Sequence, residues 1–182
     1  MKGMVFTELL DMAGVSFGVL GNGEASWHTD MSYIARPPTA SILHAHVIPD
    51  SGGDTSFLNM YVVLDALAPE LLEDINGHQL NHDETHDSGG NLRPGKTAST
   101  DVSAMPGTRH PMTQLHPESG KKALFLSRRL HAHIIGMDVA DSEVLLDALW
   151  RICARDEFVF RHQWQLGDVL MWDNRCTMHR RE

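Results

Sequence analysis

Twelve histidines in 182 residues are the first chemical signal in this chain. Imidazole is the commonest metal ligand and the side chain whose unperturbed pKa lies nearest neutrality, so histidine spacing is the place to begin. The string Trp27-His28-Thr29-Asp30 is the most informative. In an extended backbone residues i and i+2 project to the same side, so an imidazole and a carboxylate separated by one residue can grip one cation together. A third ligand must then come from elsewhere. Two histidines and one carboxylate form the facial set of non-haem iron sites, which leaves three octahedral positions open for co-substrate and oxygen. Taken alone the string has a plainer reading, a turn or N-cap aspartate beside an ordinary histidine.

Three other arrangements have ligand-like spacing. His44 and His46 share a strand face, as do His131 and His133 if that segment is extended, but two histidines make an incomplete site, and the simpler expectation is solvated or hydrogen-bonded strand histidines. His82 and His86, within His82-Asp83-Glu84-Thr85-His86, have the i, i+4 spacing of a zinc-peptidase helix. An aspartate stands where that helix carries its glutamate, and the neighbouring Gly and Ser residues offer no helical periodicity. His116-Pro117-Glu118 is followed by Ser119-Gly120 and reads as a turn.

The elements that must position these residues are mainly strands. Ala40 to Ile48 reads as a strand with Ile42, His44 and His46 on one face, followed by the turn Ser51-Gly52-Gly53-Asp54. Two short helices fit Asn59 to Leu67 and Pro69 to Ile75, with Pro69 at a first helical position. His82 to Thr100 is polar and reads as one long loop. Ala123 to Leu126 reads as a buried strand. Ser142 to Arg155 reads as a helix with Val144, Leu145, Ala148, Leu149 and Ile152 at helical spacing and Asp141 or Ser142 as N-cap. Phe158 to Trp164 alternates, Gly167-Asp168 marks a turn, and Val169 to Trp172 and Cys176 to Arg180 read as strands. The fold class expected is mainly β with helical insertions, a sandwich or barrel in which helix 142–155 packs outside, because βαβα alternation is absent.

Composition excludes several functions. Fifteen Lys and Arg against twenty-four Asp and Glu give a net charge of −9, which repels phosphate backbones and anionic lipid heads, so neither nucleic acid nor membrane is an expected partner. The uncharged stretch Met12 to Gly23 is too short and too glycine-rich to be a membrane span or a secretory signal. Cys153 and Cys176 lack the spacing of a disulfide framework or a cysteine zinc site and suit a reducing, cytoplasmic setting. The length fits one domain, 1–182.

Read with its surroundings, the first metal string gains weight. Trp27-His28-Thr29-Asp30-Met31-Ser32-Tyr33 followed by Pro37-Pro38 resembles the first metal motif of the taurine dioxygenase and chlorophenoxyacetate dioxygenase (TauD/TfdA) family of iron(II)/2-oxoglutarate-dependent oxygenases. Three further blocks match in order: Gly52-Gly53-Asp54-Thr55; His110-Pro111 with His116, Pro117, Ser119, Gly120, Lys121, Ala123 and Leu124; and Trp164, Gln165, Gly167, Asp168, Trp172, Asp173, Asn174 and Arg175 leading to His179. The resemblance runs from about Gly18 to Arg180, and four ordered blocks are more specific than any one.

The resemblance implies a double-stranded β-helix, or jelly roll, holding Fe(II) and using 2-oxoglutarate and O2 as co-substrates. It implies that a small, anionic organic substrate is hydroxylated while 2-oxoglutarate is decarboxylated to succinate and CO2. His28, Asp30 and His179 match the three metal ligands, Thr55 the hydroxyl that binds the distal carboxylate of 2-oxoglutarate, and Met31 a position lining the substrate pocket. No side-chain acid or base is required beyond the ligands. Trp164 and Trp172 are expected to pack the core, and Arg128 and Arg129 follow a core strand and are candidates for an anion. The family also carries a longer N-terminal segment and an arginine beyond the distal histidine, so the resemblance implies a domain trimmed at both ends and incomplete as a jelly roll. Arg175 and Arg180 are then the nearest candidates for the 2-oxoglutarate carboxylate. Glu24 stands where the taurine enzyme has asparagine, which argues against taurine. The partner expected is a small organic acid, and a homo-oligomer is compatible with the sequence. Two alternatives remain, a non-catalytic metal-binding jelly roll and a zinc hydrolase using His82 and His86.

Overall fold

The computed structural model describes residues 26–87, 90–97, 99–127 and 131–182. Met12 to Gly23, Glu24, the pair Arg128 and Arg129, and residues 88–89 and 98 of the expected loop lie outside that set. The elements in chain order are β1 (Ala40–His44), β2 (Thr55–Asn59), α1 (Met60–Asp65), α2 (Pro69–Ile75), β3 (Gln79–Asp83), β4 (Gly107–Pro111), β5 (Thr113–Leu115), β6 (Lys122–Leu124), β7 (His133–Ile134), α3 (Val139–Cys153), β8 (Val159–His162), β9 (Val169–Asp173) and β10 (Thr177–Arg181). Strands predominate, as the alternating segments predict. Among the described residues they form four short antiparallel sheets, β1-β9, β10-β2-β8, β4-β3-β7 and β5-β6, and no closed barrel.

The two sheets that matter most face each other. In β10-β2-β8, His179 pairs with Phe57, and Phe57 with Phe160, while Arg181 pairs with Thr55, and Thr55 with His162. Because side chains alternate along a strand, Thr55, Phe57, His179 and Arg181 share one face. Trp172 of β9 lies over that face, its ring 5.3 Å from Phe57 and 4.7 Å from His179. The opposite face presents Leu58 and Met178, both fully buried, to a core built with Val63 and Leu64 of α1 and Leu145, Leu146 and Leu149 of α3. The helices therefore cover the back of the sheet and leave its front to the site.

Local chemistry explains several boundaries. Gly52 and Gly53 have φ of 72° and 82°, the left-handed region that glycine enters without a Cβ clash, and they turn the chain into β2. Asn59 caps α1, its side chain accepting from the Tyr61 and Val62 N–H groups. Pro69 opens α2, as its fixed φ favours.

Elsewhere the structure departs from the sequence expectation. β1 stops at His44 rather than Ile48, because its partner β9 ends there in the turn at Gly167-Asp168. The helix expected from Ser142 begins at Val139, with Asp138 at the N-cap position, and neither Asp141 nor Ser142 caps it. The Ser142 hydroxyl instead accepts from the Ile134 N–H at 2.9 Å and fastens α3 to β7.

The expected loop 82–100 begins later than predicted, since His82 and Asp83 complete β3. His82 is fully buried, with the rings of Phe125 and His110 at 5.2 and 5.0 Å. The helix on which the zinc-hydrolase alternative depends is not formed: His82 lies at a strand end and His86 in the segment after it, where it groups with Asp83 and His131. Of the other pair, His133 is buried, while His131 is partly exposed with its ring stacked on His86 at 4.0 Å. His44 and His46 are exposed, as expected.

Candidate metal centre

β10 carries His179 to the middle of the front face, and an isolated bridge to it holds the segment that bears His28. The bridge is reciprocal: His28 N–H donates to His179 O at 3.0 Å and His179 N–H to His28 O at 2.9 Å. It brings the two rings to a centroid separation of 4.3 Å. The chain then turns, with Met31 at φ 50°, a left-handed conformation uncommon outside glycine. Asp30, two residues beyond His28, faces both rings from the start of that turn.

The three expected ligands converge. One ligand atom from each of His28, Asp30 and His179 lies within 4.8 Å of the others. Asp30 Oδ1 is 3.5 Å from His28 Nε2 and 3.6 Å from His179 Nε2. These separations are long for hydrogen bonds. They suit donor atoms sharing an ion at about 2.0–2.2 Å from each.

The protonation states favour a cation. Nδ1 of His28 lies 2.8 Å from Ser26 O; a carbonyl only accepts, so Nδ1 is the donor and Nε2 is the ring nitrogen turned toward Asp30. Burial pushes the Asp30 carboxyl up, but His28, His179 and the Ser41 hydroxyl more than offset it and its pKa is lowered to about 2. For His179, burial and the neighbouring His28 outweigh the attraction of Asp30 and lower the pKa to about 4. Metal ligands must be deprotonated, and at neutral pH both groups are. The ring of His179 is held by packing alone: Nδ1 is buried with no partner among the described residues, where a hydrogen bond is usual for a ligating histidine.

Asn174 fixes Asp30 through the backbone. Its Oδ1 accepts from the Asp30 N–H at 3.0 Å, and its Nδ2 donates to the carbonyls of Asp30 at 2.9 Å and Pro38 at 3.1 Å. Asn174 is almost fully buried. Sequence reasoning missed this role, since Asp173-Asn174-Arg175 reads as a turn.

The flanking residues form a second network. His116 Nε2 donates to Asp173 Oδ2 at 2.9 Å, and Arg175 holds Asp173 through Nε and an NH2 group while reaching Glu118 at 2.7 Å. Arg175 and His116 keep the Asp173 carboxyl far below the usual range in spite of burial. Of the two candidate arginines, Arg175 is thus committed to Asp173 and Glu118, and Arg180 pairs with Glu182 and lies over the Trp27 ring at 4.8 Å.

Thr55, buried on the same face as His179, presents a hydroxyl that accepts from Trp164 Nε1 at 3.0 Å. Trp164 is therefore not simply core packing, whereas Trp172 is buried against Phe57 and His179 as expected. Met31 is 44% exposed, on the open side of the ligand turn.

A strand-built site of two histidines and a carboxylate, with a buried hydroxyl on the same sheet face, defines a class of metal-binding β protein. The comparisons with known proteins specify it further: residues 6–182 match the family described as "Taurine catabolism dioxygenase TauD, TfdA family", and the chain belongs to that family. It is 35% identical over 188 residues to the alpha-ketoglutarate-dependent 2,4-dichlorophenoxyacetate dioxygenase of Cupriavidus pinatubonensis, covering 96% of this chain and 64% of that protein. It is 37% identical to the alkylsulfatase of Acinetobacter baylyi, covering 85% of this chain and 50% of that one. Among solved structures, AAD-2 in complex with Mn(II) and N-oxalylglycine superposes with a TM-score of 0.73 at 34% identity, covering 86% of this chain and 61% of that chain. The fold is the jelly roll of these dioxygenases. The chain spans less than two thirds of the length of the relatives it matches.

Proposed function

We propose that this chain carries the iron(II) and 2-oxoglutarate site of a dioxygenase acting on a small anionic organic substrate. The observation that carries the reading is the convergence of His28, Asp30 and His179 on one point. Two imidazoles and one carboxylate are the donor set of non-haem iron(II) oxygenases. When bound, iron(II) with 2-oxoglutarate and O2 supplies the oxidising chemistry, converting 2-oxoglutarate to succinate and CO2 as substrate is hydroxylated.

The residues of the chain hold and orient. Asp30 contributes the negative charge, and His28 and His179 turn their Nε2 atoms to the same point. Phe57 and Trp172 shield His179 from water, which strengthens electrostatic interactions at that spot. The Thr55 hydroxyl receives the distal carboxylate of 2-oxoglutarate. Met31, at the turn beside Asp30, lines the substrate side. An anionic substrate is supported by the relatives, whose names specify 2,4-dichlorophenoxyacetate, alkyl sulfates and sulfate esters.

The test is anaerobic addition of iron(II) and then 2-oxoglutarate to the chain. A chelated complex is expected to give a visible metal-to-ligand charge-transfer band, lost in Asp30→Ala. A band of equal strength in Asp30→Ala, or none in the wild type at saturating 2-oxoglutarate, contradicts the reading.

A further inference from the structure

The turn after β8 holds Trp164 in one orientation. The His162 ring meets the Trp164 indole edge-on at 4.7 Å with an interplanar angle of 89°. His162 is fixed in turn by Asp168 Oδ2 at 3.1 Å, and the same oxygen accepts from the Gln165 N–H at 2.9 Å, which closes the loop around the indole. Gly167 at φ 90° allows that tight return. The indole N–H is left pointing at Thr55 Oγ1 at 3.0 Å.

This bond has one possible direction. Indole nitrogen is a donor only, and a threonine hydroxyl has two lone pairs and one proton. Once a lone pair is filled by the indole proton, the hydroxyl proton is available to a different acceptor. The pairing is not a general habit of this fold, since Nε1 of Trp150 and of Trp172 is buried with no partner among the described residues. Thr55 itself is buried, on the sheet face that presents His179.

We infer that Trp164 is a positioning residue for the co-substrate: its N–H turns the Thr55 hydroxyl into a donor toward the distal carboxylate of 2-oxoglutarate. The inference rests on the proposed role of Thr55 and adds the group that polarises it. A hydroxyl already accepting a hydrogen bond is a better donor, because hydrogen bonds in a chain polarise one another. The chain indole to hydroxyl to carboxylate is a relay of orientation in which no proton is transferred.

The experiment measures 2-oxoglutarate binding by calorimetry to the iron(II)-loaded protein without oxygen, in wild type, Trp164→Phe, Thr55→Val and the double variant. The ligand 2-oxobutyrate, which lacks the distal carboxylate, is the control. Trp164→Phe is expected to weaken 2-oxoglutarate five- to tenfold and to leave 2-oxobutyrate and iron(II) affinity unchanged. It should have no further effect once Thr55→Val is present. Replacing Trp164 with 3-benzothienylalanine, which keeps the ring shape and lacks the N–H, should match Trp164→Phe if the hydrogen bond is the cause. Equal losses for both ligands, an undiminished effect of Trp164→Phe in the Thr55→Val background, or wild-type affinity in the benzothienyl variant overturns the inference. If Thr55→Val alone leaves 2-oxoglutarate affinity unchanged, the proposed role of Thr55 fails as well. If Thr55→Val weakens binding and Trp164→Phe does not, only the relay fails.

Discussion

Replacing Asn174 with alanine perturbs the site without touching any proposed ligand. The change deletes three hydrogen bonds, to the Asp30 N–H and to the Asp30 and Pro38 carbonyls, at 2.9 to 3.1 Å. It leaves those backbone groups in a cavity that excludes water, since Asn174 is almost fully buried. At about 1–1.5 kcal/mol for each bond the loss of stability should be about 3–4.5 kcal/mol. Asp30 is held from two sides, by Asn174 at its backbone and by Ser41 at its carboxylate, so part of the loss should appear as misplacement of the carboxylate. Metal affinity should fall about 10- to 100-fold, the range found when groups supporting a ligand are removed. Asn174→Asp should do no better than alanine, because a carboxylate would face two carbonyl oxygens. Urea unfolding with calorimetric metal titration reads both effects. A stability loss below about 0.5 kcal/mol with unchanged metal affinity would refute the argument that Asn174 sets the position of Asp30.

Three other perturbations test the surrounding structure. Gly107→Ala would place a Cβ 2.1 Å from the His82 carbonyl oxygen, so the β3–β4 pair must open and urea unfolding should show a loss of about 2–3 kcal/mol. Asp173→Asn should cost about 1–2 kcal/mol at neutral pH in the same assay, discounted for the partial exposure of the carboxylate, because it weakens the contacts with His116 and Arg175. The metal-free protein should be most stable above about pH 6.5. A histidine whose folded pKa is depressed binds its proton more readily unfolded, so the His179 contribution is lost as pH falls from 6.5 to about 4, a change of about 3 kcal/mol. The depressed Asp30 pKa extends the decline from 3.8 toward about 2, and His179→Phe should flatten the upper part of the curve in thermal melts.

The legible parts of the molecule were those in which residue order itself carries the geometry. His28 and Asp30 are two apart, and Thr177, His179 and Arg181 alternate on one strand, so a common face follows from the period of an extended chain. α3 was visible from its apolar spacing, although its start was not, because Ser142 looks like a cap and is used to hold β7. β3 was hidden by composition: His82 and Asp83 are polar, yet one is enclosed by aromatic rings and the other accepts from Thr85 and His86. Asn174 and Trp164 were missed for a different reason. Their partners lie 144 and 109 positions away, and no local pattern records a contact at that range.

The central claim is that His28, Asp30 and His179 hold one cation together. Calorimetric titration of cobalt(II), which avoids the oxidation of iron, into the wild type and into the nearly isosteric Asp30→Asn tests it directly. One equivalent bound by the wild type, weakened at least 100-fold in Asp30→Asn with the circular dichroism spectrum unchanged, is the predicted result. Near-wild-type affinity in a folded Asp30→Asn protein would contradict it.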